Sequence, residues 1–272
     1  MGVETIAIIG CGTMGEAILR GLLNTELIKP SQLHVTTRRP ERAQALAEQY
    51  GVHASVDNAA AAKAASLVVL GVKPQMALGL LGAPALQNEL NGKVMISICA
   101  GLRLEQLDAV LPQTALIRAM PNTPCLIGEG MTVLSSGPRA TPEQLTMAQE
   151  IFSAVGRTRN LEEKHLDAVT ALSGSGPAFG FVMMEALADG GVMMGLPRDV
   201  AVELSAQTMQ GAARLILQTG MHPAALKDDV TTPAGCTIAG LLTMEDGRIR
   251  SILARAIQEA TTVAAGLGKK EA

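Results

Sequence analysis

Aromatic side chains are almost missing from this sequence: its 272 residues hold no tryptophan, one tyrosine (Tyr50) and three phenylalanines. Hydrophobic residues still make up 48%, so Ala, Val, Ile, Leu and 14 Met must fill the interior. The absence excludes sites built on rings: a stacking platform for single-stranded nucleic acid, an aromatic cage for a quaternary ammonium, an aromatic belt at a membrane interface. Whatever binds is held by backbone groups and small polar side chains.

Positive charge is also scarce. A formal net charge of −3 leaves no basic footprint for a phosphate backbone, so no nucleic-acid partner is expected. Long hydrophobic runs are absent too. Leu67 to Val72 and Val94 to Leu102 are the typical runs, far short of the roughly 20 residues that cross a bilayer. The chain enters an apolar strand at Val3 with no charged leader, and a cytoplasmic protein with no membrane partner is expected. The four cysteines, Cys11, Cys99, Cys125 and Cys236, form no CxxC and pair with none of His34, His53, His165 or His222 at zinc-finger spacing. They read as reduced, small fillers, and no metal site is expected.

What is present divides the chain near residue 160. Up to there, short apolar strands at Val3–Ile9, Leu33–Thr37, Leu67–Gly71, Val94–Cys99, Ala115–Met120 and Met131–Leu134 alternate with helical patterns. The helices are expected at Met14–Leu23, Pro40–Tyr50, Asn58–Ala64, Gln75–Leu80, Leu104–Val110 and Pro142–Val155. Such alternation implies a mostly parallel, doubly wound α/β domain over residues 1–160. Over 161–272 the strand signals stop, and helices are expected at Leu161–Leu172, Pro177–Met194, Pro197–Gln218, Pro223–Val230, Thr237–Met244 and Arg248–Leu267. Several are apolar or small-residued on most sides, which needs a partner surface, and the expected partner is a second copy of the chain.

Gly10-Cys11-Gly12-Thr13-Met14-Gly15 follows the first strand and opens a helix, the context that the dinucleotide motif requires. Gly10 permits the turn, Gly12 removes the Cβ that would meet a pyrophosphate, and Gly15 lets helix and strand pack closely. About 20 residues on, an NAD site places an acid on the ribose. Here stand Thr36, Thr37, Arg38 and Arg39, whose hydroxyls and guanidiniums suit a 2′-phosphate and favour NADP. The same segment reads alternatively as a solvated basic loop. Gly71-Val72-Lys73-Pro74, Cys99-Ala100-Gly101 and Met120-Pro121-Asn122-Thr123-Pro124 end further strands on the same edge, where open α/β sheets bind ligands. Lys73 there reads equally as a surface lysine. Ser173 to Pro177 and Thr231 to Thr237 are loops before helices, suited to receive a carboxylate or phosphate, or equally to cap and pack.

These motifs, with Leu172–Ala178 (LSGSGPA), Ala186–Pro197 (ALADGGVMMGLP) and Leu226–Thr237 (LKDDVTTPAGCT), follow one another along essentially the whole chain as in the Δ1-pyrroline-5-carboxylate reductases, which the sequence resembles. The resemblance implies NAD(P)H-dependent reduction of 1-pyrroline-5-carboxylate to L-proline, with NADPH preferred and NADH possible. It also implies a Rossmann domain followed by an all-helical dimerisation domain, with intertwined subunits and in many members a ring of dimers. Carried over, the cofactor residues are Ile8, Gly10, Cys11, Gly12, Thr13, Met14 and Gly15, then Thr37, Arg38, Arg39 and Asn58, then Gly71, Val72, Lys73, Pro74, Cys99, Ala100 and Gly101. The substrate residues are Glu163, Asp229, Thr232, Gly235, Cys236 and Thr237, with Thr237 catalytic. With so few aromatics, Val, Ile, Met or Cys should back the nicotinamide.

Two positions depart from the family pattern. Ala234 replaces the first glycine of the usual PGGxT, which puts in question any backbone angle that needs glycine, and Phe179 replaces a tyrosine. A β-hydroxyacid dehydrogenase would need a lysine early in the second domain, and none lies between Lys164 and Lys227. A silent NADP sensor would have no need of the loop at Thr231–Thr237.

Overall fold

The computed structural model describes residues 5–267. The first strand, β1, spans Ile6–Ile9, and Val3 lies outside the described residues. In chain order follow α1 (Thr13–Asn24), β2 (Leu33–Thr36), α2 (Pro40–Tyr50), β3 (His53–Ser55), α3 (Asn58–Ala64), β4 (Leu67–Leu70), α4 (Pro74–Leu81), α5 (Pro84–Leu90), β5 (Val94–Ser97), α6 (Leu104–Val110), β6 (Ala115–Met120), β7 (Gly130–Ser136), α7 (Pro142–Ser153) and β8 (Gly156–Asn160). Eight strands form one sheet in the order β3-β2-β1-β4-β5-β6-β7-β8, parallel except for the β6–β7 pair. This is the expected doubly wound domain.

The period of two along each strand builds two cores. Ile6, Ile8, Val35, Val69, Ile96 and Ile117 face one way, toward α1, Leu46 of α2, and Ile151 and Phe152 of α7. Ala7, Ile9, Val68, Leu70, Met95 and Leu116 face the other way, toward α3, α4, α5 and α6. Phe152 is the largest fully buried side chain, and aliphatic residues do the rest of the filling.

Three local expectations are corrected. The polar segments His53–Ser55 and Gly156–Asn160 are strands, because edge strands are made by ladder hydrogen bonds and need no apolar pattern. Pro84–Leu90 is a further helix, with Leu86 and Leu90 buried. The single helix expected over Leu161–Leu172 is broken into a 3₁₀ turn at Glu163–His165, α8 (Leu166–Val169) and a π turn at Thr170–Gly174. Side-chain bonds account for the breaks. Glu163 Oε1 accepts from Arg118 Nη1 at 2.6 Å and from the Leu104 amide at 2.7 Å, and Asn122 Nδ2 donates to Ser173 O at 3.2 Å and Ser173 Oγ at 3.3 Å. Those bonds carry the first compact unit beyond 160, to Ser175.

The second compact unit is Gly176–Gln258, and residues 259–267 group with the first. It comprises α9 (Gly176–Met193), α10 (Arg198–Thr219), α11 (Pro223–Asp229), α12 (Cys236–Asp246) and the start of α13 (Ile249–Gly266). Small residues let α9 and α10 approach: Ala188 and Ala201 are buried, and a Cβ built on Gly191 would lie 3.3 Å from that of Ala201. Most of the large apolar side chains here face outward, among them Phe181 at 63% and Met193 at 88% exposure. No helix among the described residues is long and apolar enough to cross a membrane.

Candidate active site

The carboxyl ends of β1, β2 and β4 open into a cleft of about 820 Å³, lined by Gly10 to Thr13, Thr36 to Arg39, Asn58 and Gly71 to Lys73, with Glu16, Arg42, Val56, Met76 and Leu80. Its floor is the glycine turn. Gly10 takes φ +82°, and a Cβ there would come within 2.6 Å of Val72 Cγ1 and 2.9 Å of Val72 N, so only glycine fits. At Gly12 an added Cβ would meet no protein atom, leaving that approach open to a ligand. Gly15 packs on Ile8, 3.1 Å from Cγ2 to an added Cβ, as helix–strand contact requires. The α1 N-terminus has no side-chain cap, and its first amides stand ready for an anion.

The end of β2 is organised by a partly buried relay. The Gly10 amide donates to Thr36 Oγ1 at 3.2 Å, and that hydroxyl donates to Asn58 Oδ1 at 2.6 Å. Thr36 is therefore no phosphate ligand, which corrects the expectation of two free hydroxyls; it fixes the turn and the Asn58 carboxamide, and Thr37 supplies the remaining hydroxyl. Arg38 and Arg39 are exposed, and neither guanidinium has an ion-pair partner among the described residues. With Arg42 and Lys73 they make this end of the cleft cationic, and no acid stands at the tip of β2. The apolar lining is aliphatic throughout.

Several expected cofactor residues lie behind the cleft surface. Ile8 is fully buried in the core, Gly15 is buried, Met14 packs against that core, and Pro74 starts α4. Cys99 is buried, with its thiol donating to Val72 O at 3.2 Å, so it braces the Val72 turn from below, while Ala100 and Gly101 do not line the cleft. Burial pushes the Cys99 thiol up to about 11 and the Cys11 thiol up to about 12, which leaves both as unreactive thiols. The sequence offered no spacing rule for Glu16, Arg42, Val56, Met76 or Leu80, which reach the cleft from the first turns of α1 and α2, the β3–α3 connection and the body of α4.

The second group, apart from Glu163, lies in the other unit. Asp229 ends α11 and is exposed, as is Thr232. Gly235 N donates to Thr232 O at 3.1 Å, and a Cβ on Gly235 would lie 2.4 Å from Thr232 Oγ1, so Gly235 is fixed by close approach. The Gly235 amide is thus committed to the turn. The amides open to a carboxylate are those of Cys236, Thr237 and Ile238, the uncapped first turn of α12, which carries no acid. Ala234 adopts φ +58°, the left-handed conformation its place in the motif asked about. Glu163 is not presented to a ligand by its Oε1, which is committed to Arg118 and the α6 N-terminus. Among the described residues no group of three or more His, Cys, Asp and Glu is placed to hold a metal.

Residues 163–267 match the family described as pyrroline-5-carboxylate reductase dimerisation, and residues 5–101 that described as NADP oxidoreductase, coenzyme F420-dependent. The Schizosaccharomyces pombe pyrroline-5-carboxylate reductase is 44% identical over 96% of this chain and 98% of its own. That of Synechocystis is 43% identical over 97% and 98%. Among solved structures, the Coxiella burnetii pyrroline-5-carboxylate reductase superposes with a TM-score of 0.92 at 32% identity, over 98% of this chain and 99% of that one. The Plasmodium falciparum enzyme, solved with NADP bound, gives 0.88 at 28% identity, over 98% and 100%. With relatives this similar over nearly its whole length, the chain belongs to the pyrroline-5-carboxylate reductase family.

Proposed function

We propose that this protein reduces 1-pyrroline-5-carboxylate to L-proline, the last step of proline biosynthesis, with NADPH as the preferred donor and NADH as a weaker one. The carrying observation is a dinucleotide turn that opens onto Arg38 and Arg39, without ion-pair partners among the described residues, with no acid at the tip of β2, in a chain 44% identical to a named reductase over 96% of its length. The cleft fits the dinucleotide: the turn from Gly10 to Gly12 commits its own amides internally and aims the uncapped amides of the first turn of α1, from Thr13 onward, at the pyrophosphate, and Thr37, Arg38 and Arg39 suit the ribose 2′-phosphate. Asn58, Val72 and Lys73 complete the wall, Pro74 starts the helix that follows it, and Cys99 holds it from behind.

When bound, NADPH supplies the hydride that the C=N carbon accepts. The imine is basic enough to carry its own proton near neutrality, so the protein need not provide a strong acid. Its task is orientation. The amides of Cys236, Thr237 and Ile238 receive the carboxylate, the Thr237 hydroxyl accepts from the protonated ring nitrogen, and Asp229 and Thr232 flank the loop. Glu163 anchors the segment after β8.

The outward apolar faces of α9, α10, α12 and α13 support pairing with a second copy through the C-terminal helices, and a ring of such dimers is the larger assembly to test. Four free cysteines suit the reducing cytoplasm. Mixing the purified protein with NADPH and 1-pyrroline-5-carboxylate should give loss of nicotinamide absorbance with matching formation of L-proline, faster than with NADH; no turnover with either donor would end the proposal. Light scattering at micromolar concentration reads the assembly, and a monomer mass would refute the pairing.

A further inference from the structure

Glu16 stands in the wall of the cleft assigned above to NADPH, on the first turn of α1. A free carboxylate there would oppose an anionic ligand at a helix end otherwise suited to it. Both of its oxygens are engaged: Oε2 pairs with the Arg42 guanidinium, and Oε1 accepts a 2.8 Å bond from the Tyr50 hydroxyl. Arg42 also lines the cleft, beside Arg38 and Arg39. Tyr50 does not; its ring packs against the core, and it is the chain's only tyrosine. Burial and the bond to Glu16 both favour the protonated phenol, so it remains a donor.

We propose that Tyr50 is a positioning residue for donor selection: by holding Glu16 against Arg42 it withholds a negative charge from the ligand and fixes a third guanidinium in the cationic end of the cleft. The discrimination it supports is between dinucleotides with and without the extra ribose phosphate, since that dianion is what a released carboxylate repels and a third guanidinium attracts. The proposal rests on the cleft being the NADPH site.

The test is a set of dissociation constants for NADPH and NADH, read from nicotinamide fluorescence, on the natural protein, Tyr50→Phe and Tyr50→Phe/Glu16→Gln. Tyr50→Phe should weaken NADPH about three- to tenfold, the net scale of one ordinary hydrogen bond, while NADH moves less than about twofold. Removing the charge as well should restore most of the lost discrimination. Equal weakening of both dinucleotides would make Tyr50 a scaffold residue and overturn the proposal, as would an unchanged ratio or a double variant that recovers nothing. If Tyr50→Phe does not fold, Arg42→Met, which leaves Glu16 without its cation, must lower the same ratio, and an unchanged ratio again overturns the proposal. A natural protein that binds neither dinucleotide refutes the cleft's assignment, whereas intact binding with no selective effect refutes only the role of Tyr50.

Discussion

Ala234→Gly should make the protein more stable, an unusual direction for a change next to a functional loop. Ala234 sits at φ +58°, where an L side chain crowds its own carbonyl at a cost of roughly 1–2 kcal/mol. Glycine removes that cost and returns about 0.4–1 kcal/mol through the greater freedom of its unfolded chain. The difference is a net gain of about 0.5–1 kcal/mol, or roughly 1–4 °C in the unfolding midpoint for a chain of this size. Calorimetry on both proteins at one concentration reads it, since association shifts the midpoint by mass action. The turn itself is kept, because Gly235 N still meets Thr232 O, so the steady-state constants should stay close to those of the natural sequence. Ala234→Val is the opposite arm, with a β-branched side chain that the left-handed region excludes, and should lower the midpoint. A lowered midpoint in the glycine variant together with tolerance of valine would refute the left-handed conformation.

Other substitutions test other parts of the site. Thr237→Ala should slow turnover about ten- to a thousandfold, roughly 1.4–4 kcal/mol of barrier, if its hydroxyl holds the ring nitrogen; unchanged kcat and KM would remove it from the mechanism. Thr36→Val should destabilise by about 1–3 kcal/mol in denaturant titration and weaken dinucleotide binding, because it strands the Gly10 amide and Asn58 Oδ1 together. Cys236 is the exposed thiol while Cys11, Cys99 and Cys125 are buried with their thiols shifted upward by that burial. A disulfide reagent at mildly alkaline pH should therefore find one fast thiol per chain, lost in Cys236→Ser, and the buried three should respond only on unfolding.

The parts of the fold that could be read from sequence were those in which backbone geometry or burial dictates residue type. Gly10 had to be glycine because of its φ and of Val72, and the runs Ile6–Ile9 and Leu67–Leu70 had to be apolar because helices cover both faces of the sheet. β8 could not be read: Gly156–Asn160 is a polar edge held by its ladder with β7. Nor could the break after Leu161, which depends on Arg118 and Asn122 reaching across from distant parts of the chain. The site divides in the same way. The glycine turn and the arginines follow from local motifs, whereas the commitment of Thr36 and the pairing of Glu16 arise only when the elements meet.

The most direct test of imine reduction by this chain is label transfer. Incubated with 1-pyrroline-5-carboxylate and NADPH carrying deuterium at the transferable nicotinamide position, the protein should yield L-proline with one deuterium on the ring carbon that was doubly bonded to nitrogen, in step with NADPH loss. Unlabelled proline, or NADPH loss without proline, would contradict hydride transfer to the imine.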